Sequence, residues 1–157
     1  GQHKGCAKRP LPQERLKRSP INPLRLVKTN SCEIRVRYAE TDQMGVAYHA
    51  NYFMWFEVGR SELLRSLGQT YRSLETAGRY LPVIEARSEF REPAKYDDLL
   101  SSVTAGLLVA QVRIRFHYGV FRQADKLHLA AGQTVHASID TSGKPAILPQ
   151  GIQALLT

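Results

Sequence analysis

"AETDQMGVAYHANY", residues 39–52, is the segment from which the architecture of this chain can be read. Ahead of it, "EIRVRYA" (33–39) alternates apolar and polar residues, the period of two of a half-buried strand. After it, "FMWFEVGRSELLRSLG" (53–68) sets Phe53, Phe56, Leu63, Leu64 and Leu67 at helical spacing and ends on Gly68, a helix stop. The quoted segment is therefore a joint between a strand and a helix of about residues 51–67. Such a joint presents unpaired backbone N–H groups and the positive end of the helix dipole. This one also holds two carboxylates, a glycine, a histidine, an asparagine and two tyrosines.

Downstream of the helix the pattern is that of strands. "QVRIRFHYGVF" (111–121) puts Val112, Ile114, Phe116, Tyr118 and Val120 on one face and Arg113, Arg115 and His117 on the other. "SVTAGLLVA" (102–110) precedes it and "KLHLAAGQTVHASID" (126–140) follows the turn-like "RQAD", with Gly132 expected to mark a bulge or bend. "YLPVIEARSEFRE" (80–92) is a further extended segment, with Pro82 near its start. "TYRSLETAGRY" (70–80) is read as a short second helix. Tyr52, Trp55 and Phe56 load several sides of the long helix with aromatics. These elements predict an α+β domain in which one antiparallel sheet of about five strands curls around one long central helix.

The chain has 157 residues, 43% of them apolar, enough for one domain with its own core. Its net charge of +8 sits almost entirely at one end. Residues 1–28 carry eight Lys/Arg against the single Glu14 and four of the eight prolines, whereas residues 29–157 are nearly neutral. Residues 1–29 are read as a flexible basic arm and 30–157 as the domain. The arm lacks the apolar run of a secretory signal, and no stretch approaches a membrane span. Cys6 and Cys32 form no C-x-x-C or zinc spacing and read as free thiols of a reducing compartment. A cytoplasmic location is expected, or an organelle stroma if the arm is the remnant of a transit peptide.

The chemistry of the joint follows from its parts. Gly45 lets the backbone turn tightly, and Asp42 precedes His49 by seven residues. Asp42 then serves as nucleophile or as general base on water, and the His49 backbone N–H polarises a carbonyl. One such donor contributes about 10² to 10³ in rate. Each residue also has a plainer reading. An aspartate in a turn commonly bonds its own backbone; Tyr48 and Tyr52 serve as core or wall; Asn51 starts the helix or orders the site; the His49 imidazole is a spectator. Glu57, in the middle of the helix, is the rival carboxylate, and its plain role is an i, i+3 pair with Arg60.

"TDQMGVAYHANY" resembles the T-D-x-x-G-x-x-Y-H-x-N-Y signature of hotdog-fold acyl-CoA thioesterases of the 4-hydroxybenzoyl-CoA thioesterase branch. The resemblance runs through the helix and, more weakly, through "EPAKYDDLL" to "GQTVHASID", roughly residues 32–140. It implies a hotdog fold, an attacking or water-activating carboxylate at Asp42, a polarising amide at His49, and a homodimer or homotetramer with sites at subunit interfaces. It also implies an acyl-CoA substrate and no resident cofactor, coenzyme A being part of the substrate. Arg91, Lys95, Arg113, Arg115 and Arg122 are the candidate partners of its phosphates, although a charged outer strand face is commonly just solvated.

Other chemistries lack their motifs. No H-E-x-x-H cluster occurs, and His117, His128 and His136 are scattered along strands. No Gly-rich phosphate loop and no G-x-S-x-G elbow is present. An acyl-carrier protein is the alternative donor, recruited by the basic arm. Nucleic-acid binding through the arm and the Arg113/Arg115 stripe is disfavoured by the nearly neutral body. A silent hotdog scaffold or acyl sensor is disfavoured by the intact Asp42, Gly45 and His49 set. Periodicity does not rank Met54, Trp55, Leu81 or Val83 as the floor of an acyl pocket.

Overall fold

The computed structural model of the protein describes residues 28–156. Residues 1–27 of the basic arm, with Cys6 among them, lie outside the described residues, whereas the last two residues assigned to the arm, Lys28 and Thr29, pair with Gly106 and Ala105 in the first strand of the sheet; Cys32 is a free thiol. The elements run β1 (Lys28–Arg35), a 3-10 turn (Tyr38–Glu40), α1 (Ala50–Ser66), α2 (Tyr71–Thr76), β2 (Val83–Phe90), β3 (Leu99–Ala110), β4 (Arg113–Arg122), β5 (His128–Ala137) and α3 (Gln150–Leu156). The five strands form one sheet in the order β1-β3-β4-β5-β2, every neighbouring pair antiparallel. This is the architecture expected from the sequence. β1 and β2 are its edges.

The core lies between α1 and the concave face of the sheet. Ile114, Phe116, Tyr118 and Val120, the apolar half of the β4 alternation, are buried and face the helix. Tyr52, Trp55, Phe56, Leu63 and Leu64 are buried from the other side, and the Phe56 and Tyr118 rings stack with centroids 4.3 Å apart. Gly68, at φ +81°, ends the helix as expected. In α2, Thr70 and Ser73 cap each other reciprocally, each side-chain oxygen accepting from the other's backbone N–H.

Two local readings need correction. The first strand ends at Arg35 rather than running to Ala39, because Tyr38 turns out to solvent and packs its ring against Tyr96. Gly132 marks no bulge: it pairs in register with both Ser88 and Tyr118. Its role is steric, since a Cβ there would collide with the Phe56 ring and come within 2.8 Å of the Arg87 carbonyl oxygen. The closing helix α3 has no counterpart in the sequence reading; Leu148, Ile152 and Leu156 bury it against the sheet.

Candidate functional site

The joint is a folded object held from three sides. The Asp42 N–H donates to Val46 O (2.9 Å) and the Gly45 N–H to Asp42 O (2.9 Å), closing a tight turn in which Gly45 takes φ +77°. The Ala47 N–H reaches Ala94 O (2.8 Å) in the β2–β3 loop, and the Tyr48 N–H returns to Glu40 O (2.8 Å). The chain then enters α1 with His49 at the N-cap in helical geometry, without a side-chain cap. Among the described residues, no acceptor pairs with the His49 backbone N–H. This is the open donor that a helix start leaves.

Asp42 accepts the Met44 N–H on Oδ1 (2.9 Å), the ordinary bond of an aspartate in a turn. Its second oxygen has no partner among the described residues. Asp42, Tyr48, His49, Tyr52, Phe90 and Arg91 line one cleft of about 460 Å³, within the usual size range of small-molecule sites. Its wall is aromatic: Tyr52 meets Phe90 edge-on at 5.0 Å, and His49 lies 4.5 Å from Tyr48 and 6.1 Å from Phe90. Burial raises the Tyr52 phenol above its ordinary range, so it stays neutral as wall. Tyr48 is half exposed at the rim.

One residue of the joint escaped the sequence reading. Glu40 is buried, and its carboxylate accepts the Trp55 indole N–H (2.8 Å) on one oxygen and the Arg37 backbone N–H (2.8 Å) on the other. Its carbonyl takes the Asn51 side-chain amide (2.8 Å) as well as the Tyr48 N–H. Asn51 therefore ties the joint to α1 rather than capping the helix start. The sequence signal for Glu40 was Trp55, whose buried indole N–H needs an acceptor.

The remaining candidates fall in different places. Glu57 is exposed on α1 and does not line the cleft; Arg60, the partner expected for it, donates to the Tyr71 hydroxyl (2.9 Å). Of the five basic residues, Arg91 lines the cleft, and Lys95 lies two residues beyond Pro93, which also lines it. Arg122 is close by but engaged, pairing with Asp98 (3.1 Å) and Asp125 (3.2 Å). Arg113 and Arg115 belong to the far half of β4 on the convex face, and Arg115 Nε is buried without a partner among the described residues. Beside them, burial and then the Arg115 charge lower the pKa of His117. Among the described residues no group of three or more His, Cys, Asp or Glu side chains is gathered to hold a metal ion, and no helix is long and apolar enough to cross a membrane.

Comparison with known proteins places this geometry in context. Residues 36–156 match the thioesterase-like superfamily. YneP of Bacillus subtilis, provisionally named an acyl-CoA thioesterase, is 48% identical over 66 residues, 42% of this chain and 48% of its own length, so that match spans about half of the relative. The acyl-CoA thioesterase YbgC of Haemophilus influenzae is 32% identical over 126 residues, 79% of this chain and 91% of its own. The crystal structure of Slr0204, a 1,4-dihydroxy-2-naphthoyl-CoA thioesterase from Synechocystis, superposes with a TM-score of 0.77 at 26% identity, covering 82% of this chain and 95% of that one.

Proposed function

The chain belongs to the thioesterase-like superfamily, and on that premise we propose that it hydrolyses an acyl-CoA thioester to a free carboxylic acid and a thiol. The observation that carries this reading is the shared cleft: a carboxylate with a free oxygen, Asp42, and an unpaired helix-start amide, that of His49, line the same aromatic cavity. A thioester carbonyl lying between them meets a donor on its oxygen and an attacking group at its carbon. Asp42 delivers the attack, on the carbon itself or through a water molecule that it deprotonates. The His49 amide stabilises the oxyanion as it forms, the carbonyl reforms and the carbon–sulfur bond breaks. On the water route the proton taken by Asp42 passes to the departing thiolate; on the direct route water then cleaves the acyl–Asp42 anhydride, which frees the acid and the carboxylate and supplies the proton of the thiol. Tyr52 and Phe90 provide the apolar wall for the acyl group. Glu40 and Asn51 fix the turn that aims the carboxylate.

A second copy of the chain belongs to this reading. β2 is an open edge whose outer side has no neighbouring strand among the described residues, and Val83, Ile84 and Phe90 are exposed along it. An edge of this kind is a template for pairing. Phe90 lies on both that edge and the cleft, so pairing there brings the partner to the mouth of the site. Thiol release from a panel of acyl-CoAs, run beside Asp42→Asn, tests the chemistry. Turnover of at least one member by the wild type and its loss in the variant are expected; full activity in the variant would remove Asp42 from the mechanism. Light scattering of the same samples is expected to give a dimer or tetramer.

A further inference from the structure

Arg91 follows the last residue of β2, and its backbone N–H is fixed to Leu129 O at 2.8 Å. Its Nη1 lies 3.2 Å from His128 Nδ1 on β5. A guanidinium has donors and no acceptor, so Nδ1 must offer its lone pair and the imidazole proton must sit on Nε2. That Nε2 is buried and has no partner among the described residues. A buried donor without an acceptor costs the fold something; the gain from this tautomer lies wholly on the Arg91 side. The ring itself is held flat against Phe121, centroids 4.5 Å apart and planes 16° from parallel. Phe121 lies there because Gly119 leaves room: a Cβ at that position would come within 2.9 Å of the Phe121 ring.

The two arginines near the cleft are held differently. Arg122 is opposed by the carboxylates of Asp98 and Asp125. Arg91 is held at its shortest side-chain contact by a neutral ring, and its one carboxylate neighbour among the described residues, the exposed Glu89, is 3.8 Å away. An arginine oriented by a neutral acceptor keeps its charge available to an anion. We propose that His128 is a positioning residue that aims Arg91 across the mouth of the cleft at a phosphate in the thiol half of the substrate. The inference rests on the acyl-thioester reading above. The phosphate is either that of the pantetheine arm, which coenzyme A shares with carrier-bound thiols, or one on the nucleotide of coenzyme A.

The test uses the full chain and one acyl group carried on coenzyme A, on 4′-phosphopantetheine and on pantetheine, which has no phosphate. His128→Phe keeps a ring on Phe121 and removes the acceptor; His128→Asn restores a carbonyl oxygen near the place of Nδ1. His128→Phe is expected to raise KM for the acyl-CoA about five- to tenfold with kcat within about twofold, and to leave pantetheine thioester hydrolysis unchanged. His128→Asn should recover most of the loss, and Arg91→Gln with His128→Phe should be no worse than Arg91→Gln alone. An effect that persists on the phosphopantetheine thioester assigns the contact to the shared phosphate; one confined to acyl-CoA assigns it to the nucleotide. Equal losses on all three thioesters, additive losses in the double variant, or an unchanged KM would overturn the role. If the wild type cleaves no thioester, the hydrolase reading falls by itself. Calorimetry of coenzyme A binding then still decides for His128: weaker binding by His128→Phe upholds it and equal binding overturns it.

Discussion

Glu40 and Asp42 stand two residues apart in one joint, and their carboxylates meet opposite conditions. Glu40 is buried with both oxygens occupied, one by Trp55 and one by the Arg37 backbone. Asp42, which lines an aromatic cleft, has one oxygen on the Met44 N–H and the other without a partner among the described residues. The first carboxylate gives up its freedom to fix the turn, and the second is left free because the turn is fixed by others. Within the joint, position rather than residue type separates an anchor from the carboxylate proposed above to react.

Removing the anchor should cost the most. Glu40→Ala strands the Trp55 indole N–H and is expected to destabilise the fold by roughly 3 kcal/mol, read as a shift in the urea midpoint. If stability holds and only activity falls, Glu40 belongs with Asp42 and the contrast between them fails. A comparable effect of different origin is expected from acid. His136 is buried, donating from Nδ1 to Leu81 O (2.9 Å) and taking the Thr134 hydroxyl on Nε2 (2.8 Å). Burial lowers its pKa from 6.5 to about 4. Above pH 6.5 both the folded and the unfolded chain hold it neutral. Between 6.5 and about 4 only the unfolded chain takes the proton, so stability falls with pH across that window. The loss is up to about 3 kcal/mol and should vanish from the difference curve in His136→Gln. Since His136 does not line the cleft, this loss reports the interior rather than the joint.

Gly132→Ala forces a methyl group toward Phe56 and the Arg87 carbonyl and is expected to cost about 1 to 3 kcal/mol in thermal unfolding. Asn51→Ala should be the mildest for stability, about 1 kcal/mol for one hydrogen bond to Glu40 O. Its effect on kcat should be proportionally larger than that of Gly132→Ala, because it loosens the turn that carries Asp42.

Much of this was legible in the sequence where a period or a special residue marks it. The alternation of β4 gave its buried face, the Phe53-to-Leu67 spacing gave α1, and Gly45 and Gly68 marked two backbone turns that do take positive φ. What stayed hidden depended on partners far along the chain. Glu40 reads as a loop acid until Trp55 arrives fifteen residues later to bury it. Which arginine borders the cleft is settled by the pairing of β2 with β5, which brings Arg91 beside His128 and leaves Arg113 at the distant end of β4. Gly132 looked like a bulge because the helix that needs its missing side chain is remote in sequence.

The chemistry at the joint is tested most directly by comparing kcat/KM for one accepted acyl-CoA in Asp42→Asn and Glu57→Gln, the two carboxylates on either side of the helix start. The expected result is a fall of about a thousandfold for Asp42→Asn with unchanged stability, and less than about threefold for Glu57→Gln. Retained activity in Asp42→Asn, with the loss appearing instead in Glu57→Gln, would contradict it.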